Sequence, residues 1–161
     1  MVEIKKNPNG DTRTAPLKTS YKEFQIANDM HREDVRKVVK EGKVMFEIAM
    51  KILETGNKHD WTKKSKEKLF YDDFKLSIFD KSDFTEKEWY NYHINKERHH
   101  LLSRCPDDVN LIDVIEMIVD CTCAGLTRSG KTNPVEIDNE ILTEAVKNTQ
   151  RYIEKMVHVV E

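Results

Sequence analysis

The sequence predicts an all-α protein, a single compact helical domain of about five or six helices. Two observations predict it. Apolar residues recur at helical spacing along most of the chain, and no stretch shows the alternation of a half-buried strand. The breaks between the periodic segments carry Gly, Pro or Asn, as at Gly56-Asn57, Pro106-Asp107-Asp108 and SGKTNP over 129 to 134.

Residues 1–20 hold Lys, Asn, Thr, Gly and Pro with few apolar anchors, which predicts a flexible, extended N-terminal arm. The domain is expected over 21–161. Phe24, Ile26, Met30, Val35, Val38, Phe46, Ile48, Ile52 and Leu53 mark one long amphipathic segment that Gly42 bends or splits and that stops near Gly56. After His59-Asp60, KKSKEKLFYDDFKLSIF suggests a shorter second helix, and 80 to 83 reads as a loop. TEKE at 85 to 88 has the capping-box pattern, with Thr85 as N-cap of a helix WYNYHINKERHHLL. Leu111 to about Leu126 is strongly apolar on a helical period, and Ile137 to Val160 has the pattern of a last helix, with a β-branched VHVV at its end.

The chain has 161 residues and 38% hydrophobic content, enough for one real core. Its 27 basic and 29 acidic side chains give a formal charge of -2, which argues against binding nucleic acid through bulk electrostatics. The basic run KHDWTKKSKEK, 58 to 68, is the local exception. Cys105, Cys121 and Cys123 lack the spacing of a zinc site or a disulfide framework and read as free thiols of a reducing cytosol. No apolar run reaches the length of a membrane span and the N-terminus has no apolar signal core, so a cytoplasmic protein without a membrane partner is expected.

The functional signal lies in Trp89 to Asp120, which holds Trp89, His93, Glu97, His99, His100, Asp113, Glu116 and Asp120. On helices, His93 and His100 would share one face, and Asp113, Glu116 and Asp120 another. Imidazoles and carboxylates are ligands of zinc, manganese and iron, and one aspartate can bridge two ions through its two oxygens. Burying several such groups together costs free energy unless they are paired or metal-bound. Trp89 and Met117 read as core.

The order His31, His59-Asp60, His93, His99-His100, Asp120 resembles the HD superfamily of metal-dependent phosphohydrolases, in particular the branch with H…HD…H…HH…D. That branch commonly has HDxxK, matched by His59-Asp60-Trp61-Thr62-Lys63, and a late aDxxDALTxxR, which resembles VDCTCAGLTRSG. The chain is also similar to small uncharacterised bacterial and phage proteins with a doubled His and a late EMxxD, here Glu116 to Asp120. HHLLSRCPDD lacks the Gly-Tyr-Pro signature, so cleavage of cyclic dinucleotides is not implied, and Ala27 stands where a further carboxylate would bring a third metal.

The resemblance implies a binuclear site for divalent ions, of manganese, iron, cobalt or zinc. His31, His59, Asp60 and Asp120 would form the core set with Asp60 bridging, and His93, His99 and His100 would complete the second ion. Lys63 would neutralise phosphoryl charge, with Lys64 and Arg128 as further phosphate-binding groups. Asp113 and Glu116 could orient ligand histidines or ligate directly. The implied activity is hydrolysis of a small-molecule phosphoester, a nucleotide first of all. The alternatives are a di-iron oxygenase on the same scaffold and a non-catalytic helical protein binding metal or a nucleotide.

Overall fold

A computed structural model describes residues 2–5, 19–40, 43–101, 104–132 and 134–160. The first helix, α1 (Tyr21–Lys40), starts where Ser20 and Glu23 form a reciprocal cap: the Ser20 amide donates to the Glu23 carboxylate, and the Glu23 amide to the Ser20 hydroxyl. The second, α2 (Val44–Lys58), follows a break around 41–42, so the long segment is split; Gly42 itself lies outside the described residues. Next come α3 (Trp61–Ser65) and α4 (Glu67–Asp80), two helices where one was expected. They part at Lys66, whose backbone leaves the helical region and whose ammonium lies 4.1 Å from the Tyr92 ring centre.

The start of α5 (Glu88–Lys96) corrects the expected cap. Asp83, not Thr85, caps a 3₁₀ turn over Phe84–Glu86 by accepting from the Thr85 amide. Asp73 of α4 then accepts from the Trp89 amide, satisfying an orphan N–H of the new helix. The helix stops at Lys96, short of WYNYHINKERHHLL, so His99 and His100 stand on the turn that follows; Leu102 lies outside the described residues. A capping box between Asn110 and Asp113 opens α6 (Leu111–Ser129), and Gly130 closes it in the left-handed region at φ 69°.

The last helix, α7 (Asn139–Glu154), ends earlier than expected. The valines VHVV form instead strand β2 (Val157–Val160), which pairs in parallel with β1 (Val2–Lys5), Val2 opposite Val157 and Ile4 opposite Val159. Two expectations are corrected here: residues 2–5 are a strand, not part of a loose arm, and the helical reading of 157–160 fails because branched valines favour the pleated backbone once a partner strand exists. Residues 6–18 of the expected arm lie outside the described residues. The described residues are otherwise mostly helical, as the all-α prediction has it, and no described helix is long and apolar enough to cross a membrane.

The described residues group into two compact units, one from the chain up to Met50 and from Gln150 onward, the other Lys51–Thr149. The first contains the strand pair, tied to Met156 by the Val2 amide, and α1, whose Lys37 ammonium donates to the Glu3 carbonyl. The second contains α3 to α6. Its core is Leu101, Val109, Val114, Met117 and Ala145, flanked by Leu111, Ile137 and Ile141. Beside it Trp89, only 2% exposed, stacks on Phe70 at 3.9 Å and on His93 at 4.6 Å, joining the aromatic residues of α4 to the histidines.

Candidate metal centre

His59 and Asp60 form the turn between α2 and α3. Asp60 has φ 55°, a left-handed conformation that aspartate adopts more readily than most residues, and this turns its carboxylate toward α5. There Asp60 Oδ1 lies 3.5 Å from His93 Nε2 and 3.8 Å from His99 Nε2, and Oδ2 lies 3.4 Å from His59 Nε2. From α6, Asp120 Oδ1 approaches His59 Nε2 at 3.4 Å. Two overlapping groups can each enclose a cation, His59–Asp60–His99 and Asp60–His93–His100, and Asp60 belongs to both.

The surrounding hydrogen bonds fix which atoms the histidines offer. Thr62 is fully buried, and its single hydroxyl hydrogen goes to Glu97 Oε1 at 2.5 Å. Its oxygen can therefore only accept from His93 Nδ1, 2.6 Å away, which places the proton of a neutral His93 on Nδ1 and its lone pair on Nε2. Burial, then the neighbouring His100 imidazole, pushes His93 down to about 4, so the ring is neutral at physiological pH. Glu116 does the same on the other side: its Oε1 lies 3.0 Å from His59 Nδ1, leaving His59 Nε2 to face Asp60.

His99 is the least satisfied of these rings. Its side chain is 1% exposed and, among the described residues, neither nitrogen has a well-formed hydrogen bond; Nδ1 lies 3.2 Å from Glu116 Oε1. His100 and His93 point their Nε2 atoms at each other across 2.8 Å. The Asp60 oxygens, by contrast, stand 3.4–3.8 Å from the facing nitrogens of His59, His93 and His99, too far for good hydrogen bonds. Two ligand atoms each about 2.0–2.1 Å from one ion at a tetrahedral angle lie about 3.4 Å apart, close to the spacings between Asp60 and its histidines. The donor set fits a cation.

Charge is balanced around the shared carboxylate. Burial works to raise the Asp60 carboxyl, but the ion pair with Lys63, then His59 and His93, outweighs it and holds it below the ordinary carboxylate range. Burial likewise works against ionised Glu116, but contacts from His99 and His59 keep it ionised below its usual value. His93 and His99 are buried, whereas His59 and Asp120 are 30% and 31% exposed, so the cluster is reached from their side.

His31 is exposed on α1 of the first unit. In the second unit, the expected site residues Asp113, Lys64 and Arg128 lie outside the two donor groups. Asp113 is buried at the start of α6, where it completes the capping box and accepts two hydrogen bonds from Arg98, at 2.7 and 2.8 Å. That fork braces the residue immediately before His99. Lys64 is exposed on α3, and Arg128 is exposed in the last turn of α6, two helical turns beyond Asp120. Thr62, Glu97 and Arg98 carry supporting roles that no residue spacing announces.

Glu116→Gln should weaken binding of a divalent cation by roughly 10- to 100-fold, the usual loss when a partner of a ligating histidine is removed. Equilibrium dialysis against manganese or zinc reads this directly. Unchanged affinity would show that Glu116 orients nothing.

The class of site is a mixed imidazole–carboxylate cluster of the kind that holds borderline divalent ions. No family model matches the chain, and no curated protein or solved structure is significantly similar to it.

Proposed function

We propose that the chain is a metal-dependent phosphohydrolase of the HD kind, with two divalent cations held by His59, Asp60, His93, His99, His100 and Asp120. The observation that carries this reading is the membership of Asp60 in both donor groups, since a carboxylate shared between two cation sites is the minimum for a binuclear centre. When bound, such a pair lowers the pKa of a water and screens the phosphoryl oxygens. The rest is the work of the chain. Glu116 and Thr62 hold the imidazoles in the ligating tautomer, and the partly exposed edge formed by His59 and Asp120 admits the ester. Lys63, on Asp60 and 46% exposed, is placed to move its ammonium onto the phosphate as charge builds on it. In the reaction the water oxygen bonds to phosphorus, the P–O bond to the alcohol breaks, and the alcohol oxygen takes up a proton.

An oxygen-activating iron pair would use the same donors. The ammonium on Asp60 favours an anionic substrate and hence the phosphoester. The test is elemental analysis of the purified protein together with turnover of phosphomonoesters and phosphodiesters, nucleotides among them, after loading with manganese, cobalt, iron or zinc. About two ions per chain and phosphate release are expected. Stoichiometric metal with no ester cleaved by any loaded form would overturn the hydrolase, and oxygen consumption by the iron form would point to the oxygenase.

A further inference from the structure

The cluster forms one side of an apolar trough. Between the end of α2 and the outer face of α6 lies a cavity of about 240 Å³. Its wall is supplied by Ile52, Ile112, Ile115 and Val119, while His59, Glu116 and Asp120 line it from the cluster. All of these residues belong to the second unit. The remaining lining residues are Gly56, Thr55 and Cys123, so away from the cluster the only polar side-chain atoms are one hydroxyl and one thiol. The backbone of α2 and α6 spends its own N–H and C=O groups within the helices. Such a trough has little with which to read the edge of a nucleobase or the hydroxyls of a sugar, groups that lose water on entering and need a partner in return. An apolar ring needs none. A dry cavity of about 150 Å³ holds benzene, so the volume here admits a ring with substituents or a fused pair.

We propose that this trough is a substrate subsite that takes the apolar part of the ester, an aryl or branched alkyl group, with the phosphate carried to His59 and Asp120 at its edge. The substrate class is then the phosphoester of a phenol or an apolar alcohol, in preference to a sugar phosphate or nucleotide. This rests on the reading of the cluster as a metal phosphohydrolase, but the trough is a property of the bare chain and can be tested without metal.

The chain supplies its own reporter and its own plug. Cys123 is exposed and lines the trough. Gly56 also lines it, and a Cβ added there meets nothing within 4 Å. The first carbon of a side chain at 56 thus meets no clash, on a helix that gains from losing a glycine. In a Cys105→Ser, Cys121→Ser background treated with EDTA, 1-naphthol should slow alkylation of Cys123 by N-ethylmaleimide roughly fivefold or more, and Gly56→Phe should erase that protection. In the manganese-loaded protein, 1-naphthyl phosphonate should bind roughly tenfold or more tightly than methylphosphonate, from burial of the ring. Val119→Asn, on the exposed face of α6, should remove the preference and leave methylphosphonate affinity unchanged. Equal affinity for the two phosphonates in metal-loaded protein, or no protection of Cys123 by naphthol, would overturn the subsite while leaving the metal centre standing. If none of manganese, cobalt, iron or zinc binds, the hydrolase reading falls, and protection of Cys123 still decides whether the trough takes an aromatic ring.

Discussion

Asp60→Asn is expected to remove both cations together and to cut phosphoester hydrolysis by about 10³-fold. Asparagine keeps the size of the side chain and tolerates the left-handed backbone that Asp60 adopts at φ 55°, so the protein should fold. What it loses is the second anionic oxygen. Asp60 is the single carboxylate in both cation groups, facing His59 through one oxygen and His93 and His99 through the other. An amide offers one neutral carbonyl, and its NH₂ would meet histidine lone pairs on the second side. A bound pair of cations contributes several kcal/mol of transition-state stabilisation, and at about 1.36 kcal/mol per tenfold in rate the loss comes to roughly three orders of magnitude. Metal content by elemental analysis and turnover should fall together. A variant that kept two ions per chain and its rate would remove Asp60 from the bridging position.

Trp89→Ala is expected to destabilise the protein by about 3–5 kcal/mol, the range for removing a large aromatic side chain from a packed interior. Trp89 is 2% exposed, lies face to face with Phe70 and tilted to Phe84, and covers one face of His93 with the rings 15° from parallel. The void would be bordered by an imidazole left to its polar contacts with Thr62, His100 and Asp60. Urea unfolding followed by circular dichroism measures the first effect, and manganese affinity at a temperature where the variant is folded measures the second. Trp89→Phe, which keeps a ring against Phe70, should recover most of both. An alanine variant as stable as the parent would show that the aromatic stack holds nothing.

The helical class was legible because it rests on periodicity, which survives small errors in the position of element ends. Phe24 to Leu53 and Leu111 to Leu126 needed no partner to be recognised. The strand pair did. Four residues are too few to alternate visibly, and Val2 meets Val157 across nearly the whole chain. The termination of α5 at Lys96 was equally hidden, because HINKERHHLL carries neither Gly nor Pro; the cue is tertiary, the burial of Glu97 beneath Thr62. Of the cluster, the residues with metal-binding chemistry could be picked out by type, His59, Asp60, His93, His99, His100 and Asp120 among them. Their supports could not. Glu97 stands in the functional stretch without a role, and nothing in their spacing marks Thr62 or Arg98. Asp113 and Glu116 are both carboxylates of the first turns of α6, yet one locks the cap and the other touches the histidines. A rotation of about 300° over three residues of helix decides between those fates.

The arrangement around Thr62 has a kinetic side. Its hydroxyl has one hydrogen to give, and Glu97 takes it. The imidazole beyond is thereby set in its ligating form by a choice made two side chains away, before any ion arrives. On the proposed reading of the cluster, an arriving cation would have no proton to expel from His93, and the step left to it would be the displacement of His100 from His93 Nε2.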